Sequence, residues 1–258
     1  MSDFARQMLR PEPWSDLMMG NHAIVRAMLE AGTQVVTTYP GSPTPEIADA
    51  ILALPEAERP FHFEYSLNEK VALEHAFGAS MNGHPSAVFF NSVGLNVVAD
   101  SAVQLSLLEL GGGMVVILGD DPGANSSQNE QDNRHFARMA AIPVFEPASP
   151  SEAYGMYLDA AKLARARHMP VFLRLTTHVC HQRELVHFGA LPTEPADWTP
   201  RFEAHDGEFI PITAAVFPMK KRAFAKLAEL EREGCTSRWN RIVASPQQPS
   251  RLGVLWAC

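Results

Sequence analysis

Glu69 opens the stretch NEKVALEHAFGAS (residues 68–80), whose later positions are small and apolar. A carboxylate at the mouth of an otherwise buried helix has two readings. One is a helix-start charge, favoured there by the macrodipole. The other is a group aimed at a ligand held against a sheet.

Four polar loops supply further candidates. In the first, Tyr39-Pro40-Gly41-Ser42-Pro43-Thr44-Pro45-Glu46, prolines flank a glycine and a hydroxyl. On its own it reads as a rigid strand-to-helix turn capped by Ser42 or Thr44. In the second, Asn91-Ser92-Val93-Gly94-Leu95-Asn96, Gly94 lets a backbone come close to a ligand, and Ser92 and Asn96 offer hydrogen bonds. In isolation it too reads as a turn and cap.

The third loop, Gly119 to Arg134, has almost no apolar residues. Such a run inside a compact domain is usually functional or disordered. Asp120-Asp121 needs other converging oxygens to hold a metal, and the Gly-Asp-Asp triplet lacks the downstream Asn of a magnesium diphosphate site. The fourth, Thr176-Thr177-His178-Val179-Cys180-His181, has metal-ligand residue types. No matching cluster occurs elsewhere, so ordinary hydrogen-bonding histidines are the better reading. No metal site is assigned.

The elements around these loops alternate. Asn21 is read as the cap of a helix over 23–31, stopped by Gly32. A β-branched run at 34–39 ends at Pro40-Gly41. Helices are expected at 46–54, 69–81, 95–108 and 131–140, and one capped by Ser149 or Ser151 ends near Arg167. Strands are expected at 86–90, 114–118, 142–145 and, as the last of the series, 171–175. The run Met114-Val115-Val116-Ile117-Leu118 has the continuous apolarity of a strand covered on both faces. The expected fold is α/β, a mainly parallel sheet covered by helices on both faces. Ligands of such sheets sit beyond the carboxyl ends of the strands, where all four loops fall. After about His187 the chain turns proline-rich and polar. A charged helix is expected at 220–233, and RLGVLWAC (251–258) reads as the start of a strand.

Composition narrows the class. The 258 residues are 46% hydrophobic and 19% charged, ordinary for a globular protein. A net charge of −8 argues against a general nucleic-acid binder. No apolar run is long enough for a membrane span, and no secretory signal is visible. The 3 cysteines are widely spaced with no CxxC pair, which excludes a cysteine-held cluster in this sequence and fits a reducing, cytoplasmic setting.

Together, YPGSPTPEI, EYSLNEKVALEHAFGAS, NSVGLNVVAD, DDPGANSSQNEQDNR, IPVFEP and LRLTT resemble the N-terminal, pyrimidine-binding domain of the alpha subunit of indolepyruvate ferredoxin oxidoreductase. That enzyme is one of the thiamine-diphosphate-dependent 2-oxoacid:ferredoxin oxidoreductases. The resemblance runs in order over residues 20–181, and the final LGV resembles the first strand of the family's following domain.

The resemblance implies that Glu69 hydrogen-bonds N1′ of the thiamine aminopyrimidine. Proton sharing there favours the imino tautomer, whose 4′-nitrogen takes the thiazolium C2 proton. It places Ser92, Gly94 and Asn96 beside the cofactor ring, and Ser42 at the hydroxyl facing the substrate. It makes Arg134 a candidate for the substrate carboxylate, since a guanidinium fits that geometry. The implied reaction is oxidative decarboxylation of aryl 2-oxoacids to acyl-CoA with ferredoxin as acceptor.

Nothing here resembles the family's second thiamine domain or its cysteine clusters. A diphosphate-binding domain or subunit, with magnesium and the iron–sulfur clusters, is therefore expected on partner polypeptides in a dimer or hetero-oligomer. The chain is expected to be a truncated copy, a split-gene subunit or a relic. The alternatives are a non-catalytic interaction module of the same lineage, or a thiamine-dependent decarboxylase or synthase without an electron acceptor. The expected layout is an N-terminal extension (1–19), a pyrimidine-binding domain (20–187), and a linker with a C-terminal extension (188–258).

Overall fold

The computed structural model describes residues 2–193, 202 and 209–241. In chain order the first elements are α1 (Asp3–Met8), β1 (Trp14–Met19), α2 (Gly20–Glu30), β2 (Val35–Thr38), α3 (Pro45–Leu52), β3 (His62–Tyr65), α4 (Glu69–Met81) and β4 (Ser86–Asn91). Then come α5 (Gly94–Val97), α6 (Ala99–Leu105), β5 (Met114–Asp120), α7 (Asn133–Ala140), β6 (Val144–Phe145), α8 (Pro150–Arg167), β7 (Pro170–Thr176), α9 (Thr177–His181), β8 (Arg183–Phe188) and α10 (Thr213–Gly234).

Six strands form one parallel sheet in the order β3-β2-β4-β5-β7-β6. The apolar run at 114–118 lies inside β5, which pairs with β4 and β7 and is buried at every residue. Alternate residues serve opposite faces, as the strand period of two requires. Ala87, Phe89, Val115 and Ile117 pack under α2, α3 and α8. Val88, Phe90, Val116 and Leu118 pack under α4, α6 and α7. The expected α/β architecture with both faces covered is therefore present.

The strand order places a switch point between β2 and β4. The chain leaves β2 through α3 for the first face, and it leaves β4 through α5 and α6 for the second. The loops after these two strands depart toward opposite faces at this point, where open α/β sheets usually have their ligand crevice.

Several local expectations need correction. The four-residue edge strand β3, HFEY, went unread; it is half exposed and too short to show a period. So did β1 and β8, which pair antiparallel as a separate ribbon over α2 and α8. The strand at 171–175 is thus not the last, since β8 follows it. The helix expected at 95–108 is two helices that share Val98 as a joint and end at Leu105. Asn21 does not cap α2. Met19 holds that position, and the buried Asn21 amide donates instead to Pro43 O and Glu46 Oε2, each at 2.8 Å.

The charged helix read at 220–233 is longer, forming α10. Its Met219 enters the second apolar cluster with Ala215 and Val216 packed against it, and Lys226 donates to Glu109 Oε2 at 2.9 Å and to Arg167 O at 2.8 Å. The strand read at 251–258 lies outside the described residues. Among the described residues, no helix is long and apolar enough to cross a membrane.

Candidate functional site

Glu69 is the first residue of α4, after the Asn68 N-cap whose side chain accepts from Val71 N at 2.9 Å. Asn68 therefore does the capping, and Glu69 is left over for something else. It is 9% exposed. Among the described residues no hydrogen bond or ion pair reaches its carboxylate. A carboxylate this little exposed, which neither caps the helix nor pairs with a described residue, is left to face whatever occupies the strand ends.

Its neighbour across the crevice is Gly94, at the start of α5. A Cβ on Gly94 would stand 2.7 Å from Glu69 Cγ, 2.9 Å from Oε1 and 3.1 Å from Asn91 Oδ1. Gly94 N donates to Asn91 Oδ1 at 2.8 Å. On the other side of Asn91, a Cβ on Gly41 would meet Asn91 Nδ2 at 2.7 Å. Two glycines thus let the β2 and β4 loops close on one asparagine, with the Glu69 carboxylate beside it.

Ser92 and Asn96 belong to the loop that carries Gly94, and Ser42 adjoins Gly41. Ser92 is buried, and its carbonyl accepts from Gln131 Nε2 at 3.0 Å. Asn96 is exposed and exchanges two amide hydrogen bonds with Gln131, at 2.8 and 3.1 Å. Ser42, next to Gly41, is contacted by Ser126 Oγ at 3.1 Å. Thr44, rather than Ser42, takes the cap position of α3, with its hydroxyl donating to Gly41 O. Arg134 sits in the first turn of α7, half exposed. Its guanidinium is held by Asp132 through Nε and Nη2, both at 2.8 Å, and lies 3.8 Å from Glu146.

The polar loop is folded on Asp121. That buried carboxylate accepts from Ser126 N at 2.6 Å, Ser127 N at 3.0 Å, Asn125 Nδ2 at 3.1 Å and Thr177 Oγ1 at 2.9 Å. Burial alone would push its carboxyl up, but these hydrogen bonds outweigh it and hold the group well below the usual carboxylate range. Asp120 is engaged separately, with Arg174 Nε at 2.5 Å and with the Asn133 amide. Among the described residues no set of three His, Cys, Asp or Glu groups converges on a metal position. Cys180 is buried in α9, and burial pushes its thiol far above its ordinary value.

Two residues that sequence reasoning missed tie the site together. Arg174, 5% exposed on β7, joins Asp120 to Glu146. Gln131 links Ser92 and Asn96 to Asn133 Oδ1 at 2.8 Å, so the Gly94 loop and the start of α7 are one unit. Around the crevice lie the exposed side chains of Tyr65, Val97 and Leu67, the last 89% exposed next to the buried acid.

The chain resembles known proteins over most of its length. The family profile described as "Pyruvate flavodoxin/ferredoxin oxidoreductase, thiamine diP-bdg" matches residues 26–221. "Indolepyruvate oxidoreductase subunit IorA" of Methanothermobacter marburgensis is 39% identical over 238 residues, 92% of this chain and 38% of that protein. The subunit of the same name from Pyrococcus abyssi is 38% identical over 242 residues, 93% of this chain and 37% of its own length. The chain therefore spans well under half the length of these relatives. In fold it is similar to the 2-oxoglutarate:ferredoxin oxidoreductase of Magnetococcus marinus, whose structure has 2-oxoglutarate, coenzyme A and succinyl-CoA bound. The TM-score is 0.69 at 15% identity, over 84% of this chain and 45% of that one.

Proposed function

Because this chain belongs to the thiamine-diphosphate-binding family of pyruvate flavodoxin/ferredoxin oxidoreductases, we propose that it is the pyrimidine-binding part of an enzyme that oxidatively decarboxylates aryl 2-oxoacids such as indolepyruvate. Acyl-CoA is the product and a ferredoxin-type protein the electron acceptor. The observation that carries this reading is the Glu69 carboxylate, little exposed at the strand ends, packed against a glycine and without a partner among the described residues. The relatives named indolepyruvate oxidoreductase subunit support the aryl substrate.

The residues present fit the cofactor's aminopyrimidine. Gly94 leaves the space beside Glu69 Oε1 free of a side chain, and among the described residues the carboxylate has no partner to displace. Thiamine diphosphate, when bound, supplies the electron sink for decarboxylation. Glu69 holds a shared proton at the ring nitrogen, for which a glutamine is no substitute. Ser92, Gly94 and Asn96 line the ring side. Ser42 offers a hydroxyl to the substrate, and Arg134 a fork for its carboxylate.

The diphosphate, magnesium and iron–sulfur clusters belong to a partner domain or subunit, which completes the crevice over Leu67, Tyr65 and Val97. In this reading the pyrimidine-binding domain is residues 20–187, and the assembly works in the cytoplasm.

The test is reconstitution with a diphosphate-domain partner, titration with thiamine diphosphate, and turnover of indolepyruvate. Glu69→Gln is expected to lose activity by at least about 100-fold, the scale of general acid–base contributions. Wild-type turnover in Glu69→Gln would overturn the assignment. A folded complex that never takes up thiamine diphosphate would point instead to a non-catalytic module.

A further inference from the structure

We propose that Asp132 acts as an internal stand-in for the substrate carboxylate, so that a 2-oxoacid binds Arg134 by exchanging one carboxylate for another. This rests on the functional reading above and adds a specificity-determining residue to it.

The geometry is that of a filled fork. Asp132 Oδ1 and Oδ2 take Nε and Nη2 of Arg134, both at 2.8 Å. That edge is one of the two on which a guanidinium pairs a carboxylate through two parallel hydrogen bonds. The third nitrogen, Nη1, points to Glu146 at 3.8 Å. Glu146 is engaged by the buried Arg174, so it steadies Arg134 without closing the receiving edge.

The backbone under this pair is fixed. Asn133, the first residue of α7, donates to buried Asp120, and its Oδ1 accepts from Gln131. Gln131 also clasps Ser92 and Asn96 beside the proposed cofactor position. Exchange therefore involves the side chains of Asp132 and Arg134, with Asp132 Oδ1 still capping α7 at Arg134 N. Both have room to move, with side-chain exposures of 42% for Arg134 and 35% for Asp132. Asp132 stays ionised across working pH, since the Arg134 hydrogen bond holds its carboxyl down to about 2.

Such a device discriminates by charge. A 2-oxoacid brings a carboxylate that replaces Asp132 on Arg134, whereas a neutral aldehyde or ketone leaves the pair closed and gains nothing from the guanidinium. Carboxylates of suitable shape are thereby selected even though Asp132 weakens their binding.

The experiment uses the reconstituted complex. Asp132→Asn keeps an oxygen to cap α7, where the side chain accepts from Arg134 N at 3.0 Å. It removes the competing charge. The KM for the 2-oxoacid is expected to fall about two- to five-fold, a larger change than any in kcat, as suits loss of an exposed ion pair. The Kd for 3-phenylpropionate, a carboxylate without the 2-oxo group, is expected to fall by a similar factor in calorimetric titration.

In an Arg134→Gln background both effects are expected to vanish, which a merely structural role for Asp132 does not predict. An unchanged or raised KM and Kd in Asp132→Asn would overturn the proposal, as would the same decrease without Arg134. If Glu69→Gln is inactive while Asp132→Asn behaves as wild type, only this inference fails. A complex that never turns over a 2-oxoacid sinks both.

Discussion

A methyl group on Gly94 would press on Glu69 at 2.7 Å from Cγ and 2.9 Å from Oε1. The flexible acid would rotate away, and the helix would stay where it is. Gly94→Ala should therefore behave as a misplacement of Glu69. A shift of about 1 Å at a reacting group costs on the order of 100-fold. The expected outcome is a fall of that size in kcat/KM of the complex, with an unaltered circular dichroism spectrum; near wild-type turnover would show that Glu69 needs no such room. Asp121 gives a second prediction at this scale. Its folded-state carboxyl titrates well below the ordinary value, because the bonds from Ser126, Asn125, Thr177 and Ser127 outweigh burial. A depressed folded value means stabilisation that is complete above the unfolded value of about 3.9 and is lost as pH falls below it. The stability gap between wild type and Asp121→Ala, measured by urea unfolding, should be largest near neutral pH and should shrink as pH drops below about 4. A gap that stays constant to about pH 3 would mean that the carboxylate is not what organises the loop.

At the scale of elements, α2 shows how a helix can be fixed by one charge. Arg26 is fully buried and donates to Glu30 Oε1 at 2.6 Å, Met8 O and Arg10 O at 2.7 Å each, and Gly189 O at 2.6 Å. Tyr154 on α8 closes the array by donating to the other Glu30 oxygen at 2.5 Å. Arg26→Met should destabilise the protein by about 3–5 kcal/mol, because it leaves Glu30 buried without its counter-ion. The urea midpoint reports this, and a shift equivalent to under about 1 kcal/mol would count against it. No local pattern announced this array, since its partners lie as far as 163 residues apart. The same reason explains what else was legible. Strand β5 and helices α4 and α8 carry their own signals: an unbroken apolar run, an Asn68 cap, and a Ser149 cap before Pro150. Strands β1 and β8 have one half-buried face over six residues and gain their order from each other across the whole domain. In the candidate site, Ser42 and Gly94 stand in loops after strands that carry their own signal. Glu69 stands out instead as the acid that opens a small, apolar helix, since the strand before it, β3, shows no period. Arg174 looked like an ordinary strand residue in LRLTT, because its partner Asp120 is 54 residues away.

At the scale of the molecule, the proposed chemistry and the C-terminal helix lie at opposite ends of the sheet. The crevice holding Glu69 is formed by loops that follow strands. Helix α10 instead grips the residues that precede them: Glu109 stands ahead of the turn into β5, and Arg167 ends α8 just before β7. Lys226 binds both, and Arg167 returns two ion pairs to Glu229 and Glu233. Beyond the helix, Trp239 seats on α8 at Gly155, where a Cβ would come within 2.7 Å of the indole, and its Nε1 donates to Asp159 at 2.8 Å. The chain thus passes from the second face of the sheet to the first and runs back along α8, from Arg167 at its end to Glu152 in its first turn, which Arg241 engages at 2.7 Å. Such a strap should act on stability alone. Trp239→Ala is expected to lower the thermal midpoint by about 2–6 °C, the equivalent of about 1–2 kcal/mol for a chain of this size. Gly155→Leu should do the same by filling the seat, and the double variant should lose little more than either single one, because both remove one contact. Neither should change the KM for the 2-oxoacid or the affinity for thiamine diphosphate in the complex. Additive losses would mean that Trp239 does not rest on Gly155, and a change in KM would mean that the two ends of the sheet are coupled.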